Sequence, residues 1–393
     1  MPPTRSSTKA CTENSCRSRS VVADAAVITT DTVKIAVAAA IITDTVKVAV
    51  AVTNTVKVAA TITEMKTAVV ILNWNTRHYL ERFLPSLIDS CEGEDAEVIV
   101  ADNGSSDGSV EYVSERFPGT KLISLDRNYG FTGGYNRVLS ELDYEYYVLI
   151  NSDIEVKSDW LHILTEWMDN HPDCGICGPK ILSFDKRDTF EYAGAAGGYL
   201  DPLGFPYCRG RVMGKLEKDH GQYDTVENVL WVSGACLMIR SGLWRKLGGL
   251  DERFFAHMEE LDLCWRAQIA GYKVQCIPQA AIYHIGGGSL ENGSPFKLKL
   301  NYRNNLMLLE NNLPSTVGKA KASIILSFRM FLDNCARMIY FLQGRKDYAA
   351  SVKDAHREFR EMRRGINGSK IKGTMVYGLN KGLIFVRYLK TRV

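Results

Sequence analysis

An α/β fold, with a mostly parallel central sheet between helix layers on both faces, is what this sequence predicts, and three observations predict it. From Met65 onward, strand-like apolar runs alternate with helical periodicities in units of roughly 30 residues. Most of those runs are apolar at successive positions, as in "TAVVIL" and "YYVLI", which is the pattern of strands covered on both faces. Three of them stop on polar groups: "LNWN", "ADNGSSDGS" and "NSD". In such sheets ligands collect beyond the carboxyl ends of the strands.

Residues 1–64 do not share this rhythm. They hold near-repeats, "TDTVKIAVAAA", "TDTVKVAVAV" and "TNTVKVAA", without an aromatic residue or a Gly or Pro turn between them. Such Ala/Val/Thr segments cannot fill a varied core. The basic start lacks an apolar signal core with a cleavage site. The expectation is a low-complexity extension outside the native working protein, which would begin at Met65.

The elements then follow in order. "TAVVIL" is the first strand. "HYLERFLPSLIDSC" places Leu80, Phe83, Leu84, Leu87 and Ile88 on one helical face. "AEVIVA", "SVEYVSERF", "TKLISL", "TGGYNRVLSEL" and "YYVLI" read as strand, helix, strand, helix and strand. The motif "CGIC" reads as core cysteines, because no second CxxC or HxxxH follows at a zinc-like spacing, and Pro179 would end its short strand. A catalytic domain over 65–295 and a helical, basic region over 296–393 complete the layout.

Composition narrows the function classes. Hydrophobic content of 46%, charged content of 24% and a net charge of +3 suit a globular protein and not a nucleic-acid binder. No apolar run reaches the ~18 residues needed to span a bilayer. The ten scattered cysteines fit buried thiols of a reducing cytoplasm better than a disulfide framework.

The strand ends supply the chemistry. Asp102 directly follows an apolar strand; Asp107 or Ser109 suffices to cap the next helix, whereas Asp102 at the strand tip is free to accept the imide N–H of a uracil or thymine. Asn103 or Asn75 would add polar contacts. The glycines of "NYGFTGGYN", with Gly130, Gly134 and Asn136, would let a diphosphate approach a helix N-terminus, or would form a simple strand-to-helix turn. Asp153 in "NSD" offers carboxylate oxygen to a divalent ion, with Asn151 beside it and with Ser158 or Asp159 in reach to cap the following helix. In "FFAHMEELDLCWR", Asp262 and Arg266 are four apart and would pair on a helix. Glu259 and Glu260 at its first turn either answer the helix dipole or present a general base to an acceptor hydroxyl. His284 ends an apolar strand near the presumed cation, as a ligand or as a structural residue.

Together, "VVILNWN", "VADNGSSDGS", "NYGFTGGYN", "LINSDIEV", "WVSGACLMIRSGLWRKLGGLDERFF", "EELDLCWR" and "YHIGGGS" resemble the family 2 glycosyltransferases, in their bacterial rhamnosyltransferase-like branch, from about 68 to 288. The resemblance implies a GT-A fold, a UDP- or dTDP-sugar donor, Mg²⁺ or Mn²⁺, and inversion at the anomeric carbon. It implies Asp102 as the base reader and Asp153 as the last acid of a metal-binding DxD-type motif, with Asn151 where many relatives carry Asp. Glu260 stands where the family has its catalytic base, Glu259 and Asp262 being rivals. His284 falls on the metal or phosphate side, Arg303 in "NYRNN" near the diphosphate, and Gly234 and Ala235 at the acceptor pocket.

The segment "KASIILSFRMFLDNCARMIYFLQG" mixes an apolar face with Arg329, Asp333 and Arg337. It would lie at a membrane interface, at the inner face of the cytoplasmic membrane, or pack on the catalytic domain. A glycan or lipid-linked glycan acceptor in cell-surface polysaccharide synthesis suits the first of these. A sugar nucleotidyltransferase is the first rival, and it would need a glycine-rich basic loop that "LNWNTRHYL" lacks. A non-catalytic nucleotide-sugar binding protein is the second.

Overall fold

The computed structural model describes residues 65–286, 293–367, 371, 375–379 and 382–390. Residues 1–64, on which the expectation of an extension falls, and Gly287 to Ser289 of "YHIGGGS" lie outside the described residues.

The chain runs β1 (Thr67–Asn73), α1 (Arg77–Asp89), β2 (Ala96–Asp102), α2 (Ser109–Arg116), β3 (Lys121–Ser124), α3 (Gly130–Ser140) and β4 (Tyr146–Ile150), in the alternation the sequence predicts. Next come β5 (Ile154–Glu155), α4 (Trp160–Asn170) and the long β6 (Cys174–Ser183). A small antiparallel sheet holds β7 (Gly198–Leu200), β8 (Pro206–Cys208), β9 (Arg211–Val212) and β10 (Lys215–Leu216). The chain re-enters the main sheet with β11 (Glu227–Asn228) and β12 (Cys236–Arg240), then forms α5 (Ser241–Leu247), α6 (Glu259–Ile269) and β13 (Lys273–His284). Among the described residues four helices follow: α7 (Pro295–Val317), α8 (Lys319–Leu342), α9 (Lys346–Met362) and the short α10 (Ile384–Lys390).

The main sheet has the order β11-β13-β6-β12-β4-β1-β2-β3, with β5 paired to β13. Neighbours β4, β1, β2 and β3 are parallel, as are β6 and β13. Among its long strands β12 alone runs against its neighbours β4 and β6. Successive side chains of a strand point to opposite faces, so apolar runs feed two cores. Val69 and Ile71 of β1 pack with Leu80, Leu84 and Leu87 of α1 and Trp160 and Leu164 of α4. Ala68 and Val70 face the other way, with Tyr135 and Val138 of α3 and Trp265 of α6. The helix face expected on α1 is buried at Leu80, Phe83, Leu84 and Leu87, while Ile88 is half-buried.

One expectation is corrected. Pro179 does not end its strand; β6 continues to Ser183. Proline removes a ladder donor, but pairing with β12 covers only Ile176 and Cys177, and β13 shifts register between Ile277 and Ala281 beside Pro179. The strand therefore passes the proline at an irregularity. Cys174 and Cys177 are buried free thiols within it.

Candidate active site

The carboxyl ends of β1, β2 and β4 meet in one hydrogen-bonded chain. Asp102, 2% exposed, pairs in register with Asn73. Its Oδ2 accepts from Asn73 Nδ2 at 2.9 Å and its Oδ1 from the Ser105 N–H at 2.9 Å. The Thr76 hydroxyl donates to Asn73 Oδ1 at 2.6 Å, and Ser152 Oγ lies 2.9 Å from Thr76 Oγ1. Each Asp102 oxygen keeps acceptor capacity beyond these bonds. Asn75, at φ 53°, accepts from the Ser106 N–H and so locks the loop after β1 to the loop after β2. Asp107 accepts from the N–H of both Arg77 and Ser109, tying the starts of α1 and α2 together.

The turn into α3 is held from within the protein. Asn103 donates to Gly130 O and Asn128 Oδ1 and accepts from the Tyr129 N–H. The N–H groups of Phe131 and Thr132 donate to Phe255 O at 2.9 and 3.3 Å. Gly130 has φ 71°, and a Cβ there would stand 2.5 Å from the Phe255 ring. A Cβ at Gly134 would meet Leu72 at 2.8 Å. These glycines serve a left-handed turn and close packing, and the helix-start donors facing Phe255 are already taken. Asn136 lies farther along α3, where its amide brackets the backbone of Leu250.

Asp153, just past β4, faces His284 at the end of β13. Asp153 Oδ1 is 3.1 Å from His284 Nε2, and Oδ2 accepts from the Gly286 N–H at 3.3 Å. On the imidazole's other side, Glu191 Oε1 is 3.6 Å from Nδ1. Burial alone would lower the His284 pKa, but the two carboxylates outweigh it and raise it to about 10. Burial would raise the Asp153 carboxyl, and His284 more than reverses that, holding it below the usual carboxylate range. The contact is an ion pair as it stands; the two side chains would offer a divalent ion two adjacent ligands, and no group of three or more such side chains gathers among the described residues. Glu191 is then placed to orient the imidazole from behind. Asp153 is not a helix cap; Asp159 holds the N-cap position of α4 and makes no side-chain cap bond there.

The acid-bearing helix α6 opens after a strained approach. Phe255, His257 and Met258 have φ of 65°, 69° and 72°, a region that costs a non-glycine residue roughly 1–3 kcal/mol. Glu259 is buried and Glu260 partly so, and the Oε2 of each has no hydrogen-bond partner. Burial pushes the Glu260 carboxyl up to about 7, with N–H groups of the helix start and of Gly234 pulling it back only in part. Burial and the neighbouring Glu260 raise Glu259 well above its ordinary value. Glu260 lies over Gly234: a Cβ there would be 3.4 Å from Glu260 Cβ and 3.5 Å from Phe131. Ala235 O accepts from the Asn151 N–H at 2.9 Å, joining this side to the Asp153 loop.

Asp102, Asn75, Asn103, Gly130, Asn151, Asp153, Gly234, Ala235, Glu260 and His284 are thus linked at one end of the sheet. Asp262 is not like its neighbours. It is fully buried, bonded to Arg266 Nε at 2.6 Å and to Asn311 and Asn312, which is the structural pairing its spacing predicts. Arg303 of α7 donates to Glu358, Arg253 O and Phe254 O, so its guanidinium is committed to protein groups. Sequence reasoning missed Glu191 and Asn304. The first stands in a loop without periodicity; the second is visible only as the neighbour of Arg303 in "NYRNN".

Residues 68–244 match Glycosyl transferase family 2. The chain is 28% identical over 234 residues to the N-acetylglucosaminyl-diphospho-decaprenol L-rhamnosyltransferase of Mycobacterium tuberculosis, covering 55% of this chain and 75% of that one. It is 22% identical over 225 residues to the rhamnosyltransferase WbbL of Escherichia coli, covering 55% and 82%. Among solved structures, GalNAc-T7 with UDP, GalNAc and Mn²⁺ is similar at a TM-score of 0.51 and 14% identity, over 77% of this chain and 57% of that one. That likeness is one of fold, the GT-A arrangement the sequence leads one to expect.

Proposed function

Because the chain belongs to the family 2 glycosyltransferases, in their rhamnosyltransferase-like branch, we propose that it moves a sugar from a UDP- or dTDP-sugar to a glycan or lipid-linked glycan acceptor, with inversion, in the synthesis of a cell-surface polysaccharide. The observation that carries this reading is Glu260: a half-buried carboxylate with an unpartnered oxygen, raised to about 7, at the mouth of Gly234. A group that is half-ionised near neutral pH suits a general base.

The chemistry follows from the placement. Asp102, at the tip of β2, accepts the imide N–H of the pyrimidine, and the bonds from Asn73 and Ser105 fix its plane. Asp153 and His284 would hold Mg²⁺ or Mn²⁺, which when bound neutralises charge on the departing nucleoside diphosphate. Glu260 takes the proton of the acceptor hydroxyl as its oxygen forms the new bond to C1 and the C1–O bond to the diphosphate breaks. One displacement needs one base and inverts the centre. The acceptor enters beside Gly234 and Ala235.

Membrane contact is part of the same reading. Among the described residues, no helix is long and apolar enough to cross a membrane. Helix α8 buries Arg329 and Asp333 beside Ala322 and Leu326, the charged pair bonded to each other at 2.9 Å with His356 at 3.3 Å. Its exposed face carries Ile324, Phe328, Phe331, Met338, Ile339 and Leu342. Over 319–393, Lys and Arg outnumber Asp and Glu by seventeen to five, which suits an anionic surface such as the inner face of the cytoplasmic membrane.

The test is a panel of UDP- and dTDP-sugars, with Mn²⁺ or Mg²⁺ and sugar-diphosphate-lipid acceptors, offered to the wild type and to Glu260→Gln. Transfer by the wild type, with donor binding but no transfer by Glu260→Gln, is expected. Failure of every donor to turn over overturns the reading.

A further inference from the structure

We propose that Asn304 is a positioning residue for the reaction, acting through the loop that delivers the acid pair; the catalytic part of this rests on Glu260 as base. Asn304 is fully buried on α7. Its amide nitrogen lies 3.0 Å from Phe254 O, 2.8 Å from Ala256 O and 2.7 Å from His257 O. One side chain thus gathers three carbonyls of the stretch that runs through left-handed conformations into Glu259 and Glu260. An amide has two N–H groups, so at least one bond is shared, and only a donor satisfies three converging acceptors.

The orientation of the amide is fixed as well. Arg303 Nε donates to Asn304 Oδ1 at 2.9 Å, which leaves the nitrogen no choice but to face the loop. The same guanidinium bonds Arg253 O and Phe254 O and is held by Glu358 at 2.9 Å. The carbonyl not taken by α7, that of Phe255, points the other way and accepts from Phe131 and Thr132 at the start of α3. The loop is pinned between two helices, one of them beginning at the Asn103 turn of the donor side. Left-handed backbone at Phe255, His257 and Met258 persists only where its surroundings over-determine it, and these bonds do so. Without them the loop relaxes and the Glu260 carboxylate leaves its place over Gly234.

The experiment compares Asn304→Asp, which keeps the shape and replaces the donor by acceptors, with Asn304→Ala in the full chain. Amide hydrogen exchange on the ligand-free protein should speed up by about tenfold or more over 253–262 while β1, β2 and β4 stay protected. Affinity for UDP with Mn²⁺ should hold within about twofold, and turnover of the sugar-nucleotide panel should fall on the order of 10- to 100-fold. Unchanged exchange over 253–262, or equal acceleration everywhere, overturns the proposal. Where Asn304→Asp does not fold, Asn304→Ala and Asn304→Ser give the same ratio. Undiminished turnover in Glu260→Gln refutes the base assignment, while the exchange result still decides the clamp.

Discussion

Asp153 Oδ1 and His284 Nε2 stand 3.1 Å apart although 131 positions of sequence separate them, and the antiparallel pairing of β5 with β13, which sets His284 opposite Ile154, brings them together. If they share a cation, Asp153→Ala raises the Mn²⁺ concentration for half-maximal turnover by at least about tenfold, and Glu191→Gln does so by less, as a group behind a ligand should. Chelation with EDTA should stop the wild type. A metal titration of the three proteins that superimposes would remove the pair from this role.

Transfer should rise with pH and level off above about 7, because Glu260 accepts a proton only when ionised. Stability should change the opposite way. The folded carboxyl binds its proton more tightly than the unfolded one, near 4.3, so this contribution is full below about pH 4 and is lost as pH rises through about 7. Glu260→Gln should flatten both curves; a rate profile that keeps its rise in that variant would move the base elsewhere.

Asp262 makes a contrasting case. It is buried against Arg266 with two asparagine amides on its other oxygen, so Asp262→Ala takes the carboxylate from a part-buried guanidinium that keeps only the Leu247 and Gly249 carbonyls, and the acceptor from both amides. The expected loss is about 1–3 kcal/mol, read as a lower urea midpoint at constant slope. Turnover per folded molecule should hold to within a few-fold, and a collapse there with intact stability would reinstate Asp262 as a rival base.

If Asp102 reads the pyrimidine as proposed, Asp102→Asn keeps the volume but turns that acceptor into a mixed group. A charged hydrogen bond contributes about 1.5–3 kcal/mol, so UDP binding by calorimetry should weaken roughly ten- to a hundredfold. Equal affinity for UDP in both proteins would detach Asp102 from the base.

For α8, Phe331→Asp together with Leu342→Asp should cut co-sedimentation with anionic phosphatidylglycerol vesicles at least about tenfold, since each apolar side chain withdrawn from water contributes about 1.5–3 kcal/mol. Raised salt should weaken wild-type binding to those vesicles. Equal sedimentation of both proteins would leave the apolar stripe without a lipid role.

How much of this was legible beforehand depends on how local each signal is. β1, β2 and β4 announce themselves because both faces of a parallel strand are apolar, and their polar last residues mark the site. The Asp262–Arg266 pair follows from helical spacing alone. Arg303 reads from sequence as a cation for a diphosphate, but its partners, Glu358 and two carbonyls of the loop before α6, are contributed by distant turns of chain. The sequence also shows that α8 is amphipathic without showing which side turns inward; His356 on α9 decides that by receiving Asp333. Pro179 misled because its tolerance depends on a register shift in another strand.

The reversed course of β12 has one more implication. Its first residues reach the site from the direction opposite to β1, β2 and β4, so the wall beside Gly234 is made by a stretch of chain separate from the one that carries Asp102 and Asp153. Hydrogen bonds such as Asn151 N–H to Ala235 O are the seam between the two. Side chains on one side of that seam can therefore be replaced without moving the backbone that holds Asp102 and Asp153 on the other.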